Sequence, residues 1–201
     1  MLPRLYAIID ASCFPDTPAL LAFAGALSVA GVTLFQYRNK SGNSRTMLSQ
    51  ARELRRKLRQ ASLIMNDRAD LCLAADFNGV HVGQEDLSVE GARRVVGGKL
   101  WIGVSTHVPE QVREAAAGSA NYVAVGPVFP TSTKANPDRV IGLEGVRLAR
   151  SLTDKPLVAI GGITRQNCGS VIEAGADSVA VISDLLGNPG KSAEEFLRRL
   201  G

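Results

Sequence analysis

Several short polar clusters in this chain are built from residues that bind phosphate, metal or a polar ring. The stretch Gly126-Pro127-Val128-Phe129-Pro130-Thr131-Ser132-Thr133-Lys134 follows an apolar run, Tyr122 to Val125. Hydroxyls and one ammonium at the end of a buried strand suit a phosphorylated ligand, although a solvated turn would look the same locally. Gln36, Arg38 and Lys40 alternate along another apolar run. In an extended chain all three face one side. One amide and two cations on one face fit a pyrophosphate beside a polar ring, or an exposed strand end. Asp67 and Asp86 each follow a short apolar segment. Two carboxylates with room for water fit Mg²⁺, which keeps several waters and binds substrate phosphates. Asp67 could instead cap the helix expected at residue 69. Gly161-Gly162 and Ser183 each stand before a helical pattern. Backbone N–H groups there could hold a monophosphate at the positive ends of two helices.

These clusters need a frame that brings them together. Short β-branched runs alternate with longer amphipathic ones. Strands are expected at 5–9, 32–38, 62–66, 79–82, 101–104, 122–125, 157–160 and 178–181. Helices are expected at 17–30, 44–60, 69–75, 88–96, 109–117, 143–151 and 165–174, with a short turn at 183–186 and a last helix at 192–200. Apolar strands alternating with helices imply a parallel sheet covered by helices. Eight such units in 201 residues fit an α/β fold, a single (β/α)8 TIM barrel spanning 1–201. A doubly wound open sheet is the other arrangement, but it collects polar residues at one switch point. In this chain they follow nearly every strand.

In a barrel the strand C-termini meet at one face, where active sites sit. That face would gather Asp10; Gln36, Arg38 and Lys40; Asn66 and Asp67; Gln84, Glu85 and Asp86; Ser105, Thr106 and His107; Thr131 to Lys134; Gly161-Gly162; and Ile182-Ser183. His81 lies mid-strand between valines and reads as a core or supporting histidine.

Composition narrows the partners. The chain is 45% hydrophobic and 21% charged with net charge +4, which suits one globular core. The basic run Arg52 to Arg59 surrounds Leu54 and Leu58 and reads as a solvated helix face. Aromatics are 5%, too few for stacking platforms, so no nucleic-acid partner is expected. Three cysteines at wide spacing, Cys13, Cys72 and Cys168, suggest neither disulfides nor zinc. With no signal-peptide layout and no membrane-length apolar run, a cytoplasmic location with no membrane partner is expected. A homo-oligomer is compatible with this composition.

The chain resembles the thiamine phosphate synthase family along nearly its whole length. The resemblance lies in Gln36-Tyr37-Arg38-Asn39-Lys40, Met65-Asn66-Asp67-Arg68, Gly79-Val80-His81-Val82-Gly83-Gln84-Glu85-Asp86-Leu87, Gly103-Val104-Ser105-Thr106-His107, the 126–134 stretch, Ala159-Ile160-Gly161-Gly162-Ile163 and Val181-Ile182-Ser183. It implies coupling of 4-amino-2-methyl-5-hydroxymethylpyrimidine diphosphate with hydroxyethylthiazole phosphate, giving thiamine phosphate and pyrophosphate. It further implies that Gln36, Asn66 and Ser105 hold the pyrimidine. Arg38, Lys40 and Lys134 would hold the pyrophosphate, and Asp67 and Asp86 a Mg²⁺. Thr131 and Thr133 would lie along the thiazole, and Gly162, Ile182 and Ser183 would bind its phosphate. Such enzymes are thought to release pyrophosphate before the thiazole nitrogen attacks. Tyr37 and Asn39 depart from the family pattern, which commonly has an apolar and an acidic residue there, and the loop after Asp10 is short. Two alternatives share the barrel. One is a TenI-like thiazole tautomerase, which uses a histidine after the sixth strand, where this chain has Gly126-Pro127. The other is a non-catalytic thiamine-related binding or regulatory protein.

Overall fold

A computed structural model describes residues 2–131 and 139–201. Eight strands, β1 (Leu5–Asp10), β2 (Leu34–Arg38), β3 (Ser62–Asn66), β4 (Gly79–Val82), β5 (Trp101–Thr106), β6 (Tyr122–Val125), β7 (Leu157–Ile160) and β8 (Ser178–Val181), close into one barrel in sequence order. Every neighbouring pair is parallel, and β8 returns to β1. The open sheet is therefore excluded. Helices α1 (Thr17–Val29), α2 (Ser44–Lys57), α3 (Ala69–Ala74), α4 (Val89–Val96), α5 (Pro109–Ala117), α6 (Gly142–Leu152), α7 (Cys168–Glu173) and α8 (Pro189–Leu200) follow the strands in turn. Among the described residues no helix is long and apolar enough to cross a membrane.

Burial explains why strands and helices take these faces. Alternate strand residues point outward and pack under the helices in one large cluster that includes Leu5, Ala7, Ile9, Phe35, Tyr37, Leu63 and Met65. The opposite residues, Tyr6, Ile8, Leu34, Ile64, Tyr122, Ala124, Val158 and Ala180, form a second, smaller cluster inside the barrel. Both faces of each strand are thus covered, which is why the strands read as unbroken apolar runs.

Differences from the expected boundaries have local causes. The last helix starts at Pro189 rather than 192, because Asn188 caps it by accepting from the Lys191 N–H at 3.4 Å and proline suits a first helical turn. The helix after β7 begins at Cys168 rather than 165. The residues before it are held in a turn, where Asn167 Oδ1 accepts from Thr164 N at 2.7 Å. Ser88 caps α4 as expected, accepting from Gly91 N at 3.0 Å. The segment 183–185 is a 3-10 turn.

The basic run on α2 serves the fold. Arg55 donates to the carbonyls of Leu58 and Ala61 and to Asn78 Oδ1, each at 2.9 Å. Its guanidinium thereby ties the end of α2 to the N-terminal ends of β3 and β4. A shallow groove of about 530 Å³ lined by Arg55, Arg56 and Arg59 lies at that end of the barrel, away from the strand C-termini.

Candidate active site at the C-terminal rim

Strand register places the cationic side. Asp10 and Arg38 are direct neighbours across β1 and β2, and their side chains form an ion pair. Asp10 is almost fully buried while Arg38 is 27% exposed. Ser12 adds its N–H at 3.0 Å and its hydroxyl at 2.7 Å to the same carboxylate. Asp10 therefore aims the guanidinium from below. Sequence reasoning put Asp10 at the rim without giving it this task; its signal was a carboxylate in register with a rim cation.

The carboxylate pair lies beside it. Lys40 Nζ is 2.5 Å from Asp67 Oδ2. Asp67 has φ +63°, a left-handed conformation that aspartate tolerates at a cost of about 1 kcal/mol. Asp67 does not cap α3, whose first turn has no side-chain cap, so the capping reading is overturned. Asp86 is anchored by Gly83 N–H at 2.8 Å and neighbours Asp67 closely enough to act on its protonation. Burial lifts the Asp67 carboxyl above the usual carboxylate range; the Lys40 ammonium pulls it down and the Asp86 carboxylate pushes it up. Two crowded carboxylates repel, and a divalent cation relieves that repulsion. The pair fits Mg²⁺ on its donor chemistry: hard oxygens, few enough to leave places for water and phosphate. Among the described residues no group of three or more His, Cys, Asp or Glu side chains is gathered for a metal.

A group of polar side chains lies within the barrel mouth. Gln36, Asn66 and Ser105 stand on the inward phase of β2, β3 and β5. Asn66 Nδ2 is buried without a hydrogen-bond partner. An unmet buried amide donor costs about 1–3 kcal/mol, so this nitrogen is left able to donate to an incoming acceptor. Gln84 Nε2 donates to the Ser105 carbonyl at 2.6 Å and ties the β4 loop to β5.

Below these three residues lies a buried polar chain. Gln36 Nε2 donates to the Tyr6 hydroxyl at 2.9 Å. Tyr6 and Tyr122 hydroxyls are 3.0 Å apart. Tyr122 meets His81 Nδ1 at 3.0 Å, and His81 Nε2 meets Ser105 Oγ at 2.9 Å. His81, Gly103 and Tyr122 occupy one register row across β4, β5 and β6. Gly103 makes the row fit, because a Cβ there would sit 2.0 Å from Tyr122 Cζ. The Tyr122 ring lies over that gap and stacks on His81 at 5.6 Å. Burial depresses the His81 imidazole to about 4 and raises both phenols, so all three are neutral near pH 7. His81 is thus a supporting histidine, as expected. Tyr6 and Tyr122 were missed; their signal was a tyrosine on the inward phase of a barrel strand.

The loops after β7 and β8 form another side of the rim. Gly161 and Gly162 have φ +100° and +63°. A Cβ on Gly162 would lie 2.5 Å from the Pro130 carbonyl oxygen, so glycine is needed where the two loops touch. Arg165 joins this loop to the next: its N–H donates to Asp184 Oδ2 at 2.7 Å and its guanidinium reaches Asp184 and Glu195. Ile182 and Ser183 open the 3-10 turn after β8. The Arg165–Asp184 link holds Gly162 and Ser183 on neighbouring loops and was not foreseen.

Other expected residues have plainer places. His107 Nδ1 meets the Gly126 carbonyl at 2.8 Å, and its backbone N–H donates to Gln111 at 2.7 Å. Thr131 ends the first described stretch, while Thr133 and Lys134 lie outside the described residues. Tyr37 and Asn39 face away from the mouth: Tyr37 donates to Gln50 Oε1 at 2.5 Å, and Asn39 Nδ2 reaches both at 3.0 and 3.1 Å. The two departures from the family pattern therefore compensate each other between β2 and α2.

Comparison with known proteins agrees with this geometry. The family model described as thiamine monophosphate synthase matches residues 5–185. The thiamine-phosphate synthase of Koribacter versatilis is 59% identical, over 99% of this chain and 96% of that protein. That of Chloroflexus aurantiacus is 44% identical over 90% of this chain and 83% of its own. Among solved structures, thiamine phosphate pyrophosphorylase from Pyrococcus furiosus superposes with a TM-score of 0.87 at 35% identity, over 98% of this chain and 95% of that one. A 3-hexulose-6-phosphate synthase from Salmonella typhimurium, at 15% identity and a TM-score of 0.78, shares the barrel alone. With a family model spanning most of the barrel and full-length relatives of this identity, the chain belongs to the thiamine monophosphate synthase family.

Proposed function

We propose that the chain couples an aminopyrimidine diphosphate to a thiazole phosphate, releasing pyrophosphate, at the C-terminal rim of the barrel. The observation that carries this reading is the gathering at one barrel mouth of an unmet amide donor, a buried-anchored arginine and a lysine beside paired carboxylates. Gln36, Asn66 and Ser105 hold the pyrimidine edge. Arg38 and Lys40 receive the diphosphate, joined by Lys134. Arg38 is already aimed by Asp10, so little reorganisation is needed when negative charge builds on the leaving group. Asp67 and Asp86 would hold Mg²⁺, which supplies positive charge to the phosphate oxygens. Gly162, Ile182 and Ser183 bind the thiazole phosphate through backbone N–H groups, with Thr131 and Thr133 along the thiazole. Cations surround the leaving group and the one buried histidine is neutral and fully bonded, so the site favours departure of pyrophosphate before attack by the thiazole nitrogen.

Pyrophosphate release from the two substrates with Mg²⁺ tests the reading. A synthase gives stoichiometric pyrophosphate and thiamine phosphate. Isomerised thiazole phosphate without pyrophosphate would identify a tautomerase, and binding without product a regulatory protein.

A further inference from the structure

The buried chain Gln36–Tyr6–Tyr122–His81–Ser105 has a direction, and that direction determines what its two ends show a ligand. Each neutral phenol has one proton to donate, and the neutral imidazole carries one ring proton. Gln36 Nε2 donates to Tyr6. The Tyr6 proton then goes to Tyr122, and the Tyr122 proton to His81 Nδ1. His81 must carry its proton on Nε2 and give it to Ser105 Oγ. Three groups are left over among the described residues: the Gln36 Oε1 acceptor, the second Gln36 Nε2 hydrogen and the Ser105 hydroxyl proton. The opposite direction would turn the Gln36 amide over, place the histidine proton on Nδ1 and make Ser105 a donor into the chain.

We propose that this relay is a specificity device for the ring edge, with Tyr6, Tyr122 and His81 as positioning residues. It holds Gln36 as an acceptor and Ser105 as a donor, and so selects an amino group beside an unprotonated ring nitrogen over the reversed pattern of a carbonyl beside a ring N–H. This rests on the preceding reading that the mouth receives a pyrimidine diphosphate. Asn66, whose Nδ2 is buried and unmet, stands beside His81 in register across β3 and β4.

The relay can be cut without losing ring volume. In Tyr122→Phe the Tyr6 hydroxyl has no acceptor left except the Gln36 amide oxygen, so the amide turns over. In Tyr6→Phe the Gln36 amide loses its fixed partner and presents either end. The test measures binding of the aminopyrimidine diphosphate and of its counterpart with a ring carbonyl in place of the amino group, with Mg²⁺ present throughout. Wild type should prefer the amino compound. The preference should fall about tenfold in either variant, the scale of exchanging one met hydrogen bond for an unmet one, while thiazole phosphate affinity stays within about twofold. Equal preference in wild type and a folded variant would overturn the relay. A second measurement needs no variant of the relay: the ¹⁵N spectrum of histidine-labelled wild-type protein. The chain has two histidines, so a His107→Gln sample assigns His81. An Nε2–H tautomer supports donation running from Gln36 to Ser105, and an Nδ1–H tautomer refutes it. Wild type that binds neither pyrimidine would sink the substrate reading instead, and the tautomer would still decide the relay.

Discussion

Lowering the pH should destabilise the barrel through His81, by an amount the structure sets. The imidazole is enclosed by the Tyr122 ring and Ser105, and burial holds it at about 4 against an ordinary 6.5. Below pH 6.5 the unfolded chain takes up a proton that the folded chain refuses. Stability from this group is therefore complete above pH 6.5 and is lost as pH falls toward 4. The full difference corresponds to about 3 kcal/mol. The comparison is wild type against His81→Gln, which keeps a donor and an acceptor but cannot titrate. Urea unfolding of both proteins at steps from pH 7.5 to 4 gives two stability curves. All other groups are common to both proteins, so their contributions cancel in the difference. The wild-type curve should fall more steeply between pH 6.5 and 4, by about 3 kcal/mol in all. Parallel curves would show that His81 is protonated as readily in the folded state as in the unfolded one, and the neutral relay would fall with it.

Other perturbations separate the parts of the site. Asp67→Asn and Asp86→Asn should each abolish most turnover while thiazole phosphate binding, measured by calorimetry, survives; near-wild-type rates at low Mg²⁺ would exclude this pair as the metal site. Chelation of Mg²⁺ should likewise stop pyrophosphate release, and re-addition should restore it. Arg38→Ala should cost roughly 3 kcal/mol of stability by stranding the buried Asp10 charge, read by chemical denaturation. Pairing it with Asp10→Asn should recover most of that loss. Gly103→Ala should cost roughly 1–3 kcal/mol and weaken the amino-over-carbonyl preference, because the new methyl displaces the Tyr122 ring; unchanged melting and preference would show that the row has slack. Lys134→Ala should lose roughly 2–4 kcal/mol of transition-state stabilisation in single-turnover rates, the scale of removing one electrostatic donor.

Much of this protein can be read along the chain because the relevant rules are local. Alternating apolar strands and amphipathic helices specify a parallel sheet with both faces covered, since each element must bury what it exposes. Gln36 and Arg38 share a face because strand side chains alternate, whatever the sheet does, while Lys40 lies past the end of β2 and is placed by its ion pair with Asp67. The helix start at Ser88 follows from capping chemistry, and that at Pro109 from proline's fit to a first helical turn. What required the closed barrel is every contact between residues far apart in sequence. Whether eight strands close or stay open depends on β8 meeting β1, a pairing of 5–7 with 179–181 that no local pattern records. Asp10 supports Arg38 only because register sets them side by side. Tyr6 and Tyr122, 116 residues apart, look like ordinary core aromatics until closure points both hydroxyls into one dry interior. There, an unpaired polar group is costly, so the polar atoms pair in series from Gln36 to Ser105. Asn66 Nδ2 is the buried side-chain nitrogen that closure leaves unmet among the described residues.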